Sequence, residues 1–126
     1  MLTAASGIVA TAEVLVDTDV LVDHLRGERR LSADVRPLGV SVVSRCELFA
    51  GRDDLERLRR FLWPMIEMPI DRPVAELAGM TRRETGIAVP DALIAATALT
   101  HRIPLMTRNR RHFDRVAELR VVGPGS

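Results

Sequence analysis

The sequence predicts an α/β fold: a small parallel sheet with helices on both faces. Two observations carry this reading. Short apolar runs at residues 14–17, 39–43, 65–70, 104–107 and 119–122 alternate with helix-like segments, several opened by capping residues and closed by glycine. The first run, Val14-Leu15-Val16, is apolar at three consecutive positions, as expected of a strand covered on both sides. The 126 residues suit one domain with one core, and no internal repeat or linker interrupts them.

Each element has a local reason. Residues 14–17 form the first strand and end on Asp17. A helix over 20–26 follows, with Asp19 as its expected N-cap and Gly27 past its end. Residues 39–43 form the second strand. Ser44 is expected to open a helix through residue 50, closed by Gly51, and Ser44-x-x-Glu47 has the spacing of a capping box. Residues 54–61 read as a charged amphipathic helix that ends before Pro64, and 65–70 as a short strand. Asp71 caps a helix over 73–85 that Gly86 ends. Pro90 and Asp91 open an apolar helix to His101. A strand over 104–107, a helical turn over 110–115 and a last strand over 119–122 complete the chain. Residues 1–12 are expected to be a tail, disordered or from a misassigned start codon, which leaves 13–126 as the domain. Ala10-Thr11-Ala12 resembles a signal cleavage site, but no basic segment precedes it.

Composition narrows the function. Net charge is +1, and all 18 basic residues are arginine. Without lysine, a lysine nucleophile and a phosphate-loop lysine are excluded. Cys46 is the single cysteine, so no intrachain disulfide forms and a cytoplasmic location is expected. No apolar stretch reaches the roughly 20 residues that span a bilayer. Arg102, Arg108, Arg110, Arg111, Arg115 and Arg120 stand against only Asp114 and Glu118 in residues 101–120. That local excess suits either phosphates or a solvated terminal face. The aromatics are Phe49, Phe61, Trp63 and Phe113, without tyrosine, a thin basis for base stacking. His24, His101 and His112 show no i,i+4 pair and no cysteine partner, so they do not read as a metal site.

Three carboxylates occupy comparable points. Asp17 ends the first strand, Glu47 follows the second, and Asp91 starts the apolar helix. In an open parallel sheet such positions share the carboxyl edge, where ligands bind. Acids converging there repel one another and raise their own pKa values; a hard divalent cation such as Mg²⁺ relieves that conflict with oxygen ligands. Each acid alone also has a structural reading, as a cap or a first-turn residue favoured by the helix dipole. Their joint placement favours chemistry.

Three segments together resemble a known family. They are Val14-Leu15-Val16-Asp17-Thr18-Asp19, then Ser41-Val42-Val43-Ser44-Arg45-Cys46-Glu47-Leu48-Phe49-Ala50-Gly51, and Asp91-Ala92-Leu93-Ile94-Ala95-Ala96-Thr97-Ala98 followed by Leu105-Met106-Thr107-Arg108-Asn109. In order and spacing they are similar to the PIN domain, in particular the VapC toxins of bacterial type II toxin–antitoxin pairs, over residues 14 to about 122. The resemblance implies a three-layer α/β/α sandwich and an endoribonuclease that depends on Mg²⁺ or Mn²⁺ and inhibits translation. It implies Asp17, Glu47 and Asp91 as metal ligands and places the family's fourth acidic position on Asn109, which carries no charge. It further implies support from the Thr107 hydroxyl, RNA phosphates met by Arg108 and Arg110, a homodimer, and a cognate antitoxin that blocks the cleft. Asp114 is a weaker substitute for the missing acid.

Two other readings stay open at this level. Asp17-Thr18-Asp19-Val20 also matches the D-x-D-x-[TV] signature of haloacid-dehalogenase-type phosphatases, with Asp17 as nucleophile and Asp19 as general acid. The absent lysine and the short chain count against it. A PIN fold that only binds RNA or a partner is the non-enzymatic reading, and Asn109 is its main support.

Overall fold

Val14, Leu15 and Val16 have no exposed surface, and the strand they form, β1 (Val14–Val16), is the central one. The computed structural model describes residues 11–31 and 36–124. Its other strands are β2 (Leu38–Ser41), β3 (Ile66–Met68), β4 (Leu105–Met106) and β5 (Val121–Val122). All pair in parallel, in the order β3-β2-β1-β4-β5. Six helices accompany the strands among the described residues: α1 (Thr18–Leu25), α2 (Val42–Phe49), α3 (Leu55–Leu62), α4 (Arg72–Thr85), α5 (Val89–His101) and α6 (Arg110–Phe113).

The pleat divides the core. Leu15 and Leu105 point to one face, where they pack with Val74 and Ala78 of α4, Ile94 and Ala95 of α5, and Phe113 of α6. Val14, Val16 and Met106 point to the other, against Val20 and Leu21 of α1, Leu48 of α2, and Leu58 and Leu62 of α3. Helices on both faces of one sheet make the three-layer α/β/α sandwich, and period-2 alternation on strands of two to four residues is what sends each layer its side chains. Gly39 lets β2 approach its neighbours closely. A Cβ there would lie 2.8 Å from both the Ala12 Cβ and the Met68 sulfur.

Two helix starts differ from expectation. The helix after β1 begins at Thr18 and its N-cap is Asp17, not Asp19. Asp17 N makes the last bond to β4, donating to Met106 O at 2.9 Å, and the chain turns into the helix at once. The helix after β2 begins at Val42 and is capped by Ser41, whose hydroxyl accepts from Val43 N at 3.0 Å. Ser44 is therefore inside α2 and fully buried, so the Ser44/Glu47 capping box does not form. In both cases the strand gives way to its helix earlier than the local motif suggests, and pairing decides where the cap falls. The caps at Asp71 and left-handed Gly86 are as expected, and Asp54 caps α3 rather than forming its first residue. The expected tail lies outside the described residues apart from Thr11 and Ala12, and Ala12 is buried in the core.

Candidate functional site

The strand order reverses direction between β1 and β4. From β1 the chain builds outward through β2 and β3, then returns to add β4 on the other side of β1. Open α/β sheets bind ligands at such a switch point, beyond the strands' carboxyl ends. Here a shallow cleft of about 370 Å³ opens there, and Asp17, Asp19, Glu47, Asp91, Asn109 and His112 line it.

Each acid reaches the cleft by a separate structural cause. Asp17 stands at the end of β1, with Oδ1 accepting from Thr18 N and Oδ2 from the Thr107 hydroxyl, both at 2.8 Å. Thr107 is buried at the end of β4, and its hydroxyl accepts from Asn109 N at 3.0 Å. Glu47 projects from α2. Thr18 Oγ1 lies 2.6 Å from Glu47 Oε1 and 2.8 Å from Ser44 Oγ. Thr18 has one hydroxyl proton and the carboxylate only accepts, so that proton goes to Glu47 and Ser44 donates to Thr18. Asp91 occupies the first turn of α5, a helix that buries Ala92, Ile94, Ala95, Ala96, Thr97 and Ala98. A helix held nearly all round fixes where its first turn points.

The charges are crowded. Burial pushes the Asp17 carboxyl up to about 6; hydrogen bonds from Thr107 and Thr18 N oppose the rise, and the charges of Asp19 and Asp91 add to it. Burial also raises Asp91, with Glu47 and Asp19 adding repulsion and His112 opposing it. Asp19 has a cation beside it: its Oδ2 accepts from Arg108 N at 3.1 Å, and the Arg108 guanidinium reaches Asp19 at 3.6 Å and buried Asp23 at 3.1 Å. The donor set facing the cleft is oxygen-rich and short of positive charge, which suits a hard divalent cation. Among the described residues no three His, Cys, Asp or Glu side chains are gathered tightly enough to hold an ion unaided. A Mg²⁺-like ion keeps several waters and needs only one or two carboxylates directly.

A family model for the PIN domain matches residues 14–119. The chain belongs to the PIN domain family. This PIN domain is 38% identical over 122 residues to Ribonuclease VapC10 of Mycobacterium tuberculosis, an alignment covering 85% of this chain and 90% of that protein. It is 33% identical over 119 residues to Ribonuclease VapC19 of the same organism, covering 83% and 95%. Among solved structures, a chain of a toxin–antitoxin complex from Klebsiella pneumoniae superposes with a TM-score of 0.76 at 32% identity, covering 90% of this chain and 98% of that one.

Of the residues expected to carry chemistry, Asp17, Glu47, Asp91 and Asn109 all line the one cleft of this PIN domain. Thr107 is 1% exposed and contacts Asp17. Arg108 lines the cleft, paired with Asp19 and Asp23. Arg110 does not line it; its guanidinium donates to Val121 O at 3.1 Å. Asp114 closes α6 and lies outside the cleft lining. Sequence reasoning gave Asp19 the cap of α1 and missed Thr18, Ser44, Asp23 and His112. The available signal for His112 was its spacing, three residues after Asn109 and so one helical turn along the same face.

Proposed function

We propose that this PIN domain is a divalent-metal-dependent endoribonuclease, the toxin of a toxin–antitoxin pair, which inhibits translation by cutting RNA. The observation that carries the reading is the crowding of Asp17, Glu47 and Asp91 on one cleft at the β1/β4 switch point, with Asp17 pushed up to about 6. The ribonuclease names of the relatives at 38% and 33% identity support the reaction class.

Asp17, Glu47 and Asp91 are the residues that would hold Mg²⁺ or Mn²⁺. Bound there, the cation would supply positive charge at a phosphodiester oxygen and lower the pKa of water. The chain's own groups prepare the site. Thr107 and Thr18 N each hold one oxygen of Asp17 and leave both oxygens with further accepting capacity. Thr18, backed by buried Ser44, fixes Glu47 by one oxygen and leaves the other available. Arg108 pairs with Asp19 and Asp23 and so offsets part of the repulsion that Asp19 adds to Asp17 and Asp91. Single-stranded or looped RNA suits so open a cleft. The same pairing weakens the phosphatase alternative, because Asp19 bonded to Arg108 N is poorly placed as a general acid.

The partners follow the same reading. A chain 32% identical to this one was solved in a toxin–antitoxin complex, which supports a cognate antitoxin; a homodimer is the expected assembly. The deciding experiment is a divalent-metal titration with an RNA cleavage readout, comparing the wild type with Asp17→Asn. Cleavage should require metal and collapse in the variant. Equal cleavage by both proteins would overturn the assignment.

A further inference from the structure

The cleft has acids on three sides, and the side toward α6 carries Asn109 and His112. We infer that His112 is a nitrogen ligand to the same divalent cation as Asp91, which makes the site a mixed nitrogen–oxygen one selective for later first-row ions over Mg²⁺. The inference rests on the metal site proposed above.

The spacing of the two groups is the first support. His112 Nδ1 lies 3.6 Å from Asp91 Oδ2. That is too long for a hydrogen bond. Two donors each about 2.1 Å from one cation stand about 3.0 to 4.2 Å apart, depending on the angle between them. The pair is spaced as two ligands of one ion would be; without an ion the same distance is a loose ion pair when His112 is protonated.

Exposure and anchoring are the second support. The His112 side chain is 59% exposed and the Asp91 side chain 28%, so both sit at the cleft mouth. Asp91 is the one side-chain partner of the imidazole among the described residues. The backbone that carries it is fixed: His112 N donates to Asn109 O at 3.1 Å, and the next residue, Phe113, is 2% exposed in the core. His24, by contrast, is committed to structure. Its Nδ1 accepts from Leu31 N at 2.9 Å and its ring stacks on Phe61. Asn109 spends its backbone N–H on Thr107 and leaves only a neutral amide toward the cleft. Imidazole favours ions such as Co²⁺ over Mg²⁺, which prefers oxygen alone.

The test is metal binding, not cleavage. Co²⁺ and Mg²⁺ affinities are measured by calorimetry on the full chain for the wild type, His112→Ala, His112→Gln and Asp91→Asn. Both His112 variants should weaken Co²⁺ about tenfold and Mg²⁺ less than about threefold. In NMR spectra, Co²⁺ should shift the imidazole of one of the three histidines, and the His112 variants should lose that signal. Asp91→Asn should weaken both ions. An equal loss for the two ions, no loss, or a gain (the result of a simple ion pair) in the His112 variants would overturn the inference. If Asp91→Asn weakens both ions while the His112 variants do not discriminate, the carboxylate site stands without His112. If Asp91→Asn changes neither, the metal site itself fails.

Discussion

Asp17 and Asp53 are the same residue in opposite settings. Asp53 lies on the surface before α3, where its carboxylate accepts from Asp54 N and pairs with Arg57 Nη1 at 2.6 Å. That hydrogen bond to Arg57 holds its pKa below the usual carboxylate range. Asp17 is buried at the end of β1, bonded to a hydroxyl and a backbone N–H, with other acids nearby, and it is raised to about 6. The α3 surface answers its acids with arginines, Glu56 with Arg59 as well as Asp53 with Arg57. The cleft leaves Asp17 and Glu47 with hydroxyl and N–H donors alone. Acids already paired with guanidinium maintain a surface; acids crowded without it are set to receive a cation.

The largest test of that contrast is catalytic. Asp91→Asn should reduce RNA cleavage by about 10³-fold or more, a loss of about 4 kcal/mol in transition-state stabilisation, while circular dichroism shows α5 intact. Single-turnover assays at fixed Mn²⁺ measure it, and a drop under tenfold would remove Asp91 from the machinery.

Stability without metal gives the next effect. The folded pKa of Asp17, about 6, exceeds its unfolded value near 3.9. Protonated Asp17 therefore contributes stability that is fully present below about pH 4 and lost as pH rises through 6. In EDTA at pH 7.5, Asp17→Asn should be more stable than the wild type by up to about 3 kcal/mol, since asparagine still caps the helix. Saturating Mg²⁺ should reverse the order, because only the wild type gains binding energy. Denaturant melts with and without EDTA check both signs.

Thr107→Val should act more modestly. It removes two hydrogen bonds, to Asp17 and from Asn109 N, about 1 kcal/mol each, and because the first opposes the rise in Asp17, the carboxyl should titrate still higher by NMR. An unchanged Asp17 titration would show that Thr107 does not tune the site. The smallest effect should come from the surface. Asp53→Asn and Arg57→Ala, alone or together, should leave melting temperature and metal affinity almost unchanged, as exposed pairs usually do. A marked loss of metal affinity there would erase the distinction between the two regions.

What was legible in the sequence depended on how local its cause is. The helix from Asp71 to Gly86 was readable from its ends, because a cap and a left-handed glycine act within four residues. Buried β1 and α5 were readable from unbroken apolar runs. The starts of α1 and α2 were not, because Asp17 or Asp19, and Ser41 or Ser44, fit a cap equally well by type. The bonds of Asp17 N to Met106 O and the pairing of Ser41 with Met68 chose between them. The expected cap at Asp19 therefore does not form. Asp17 caps the helix and still faces the cleft, and so does Asp19.

The chain's own pattern determined the α/β class, the full burial of β1 and the three acids, Asp17 and Glu47 after apolar strands and Asp91 at the start of an apolar helix. Those are consequences of periodicity and of caps, which operate over one turn or one strand. Tertiary structure alone decided that β4 returns beside β1, which sets Thr107 against Asp17 across 90 residues of sequence and brings His112 to Asp91. Such contacts arise from strand order and helix packing, and no short stretch of sequence contains both partners.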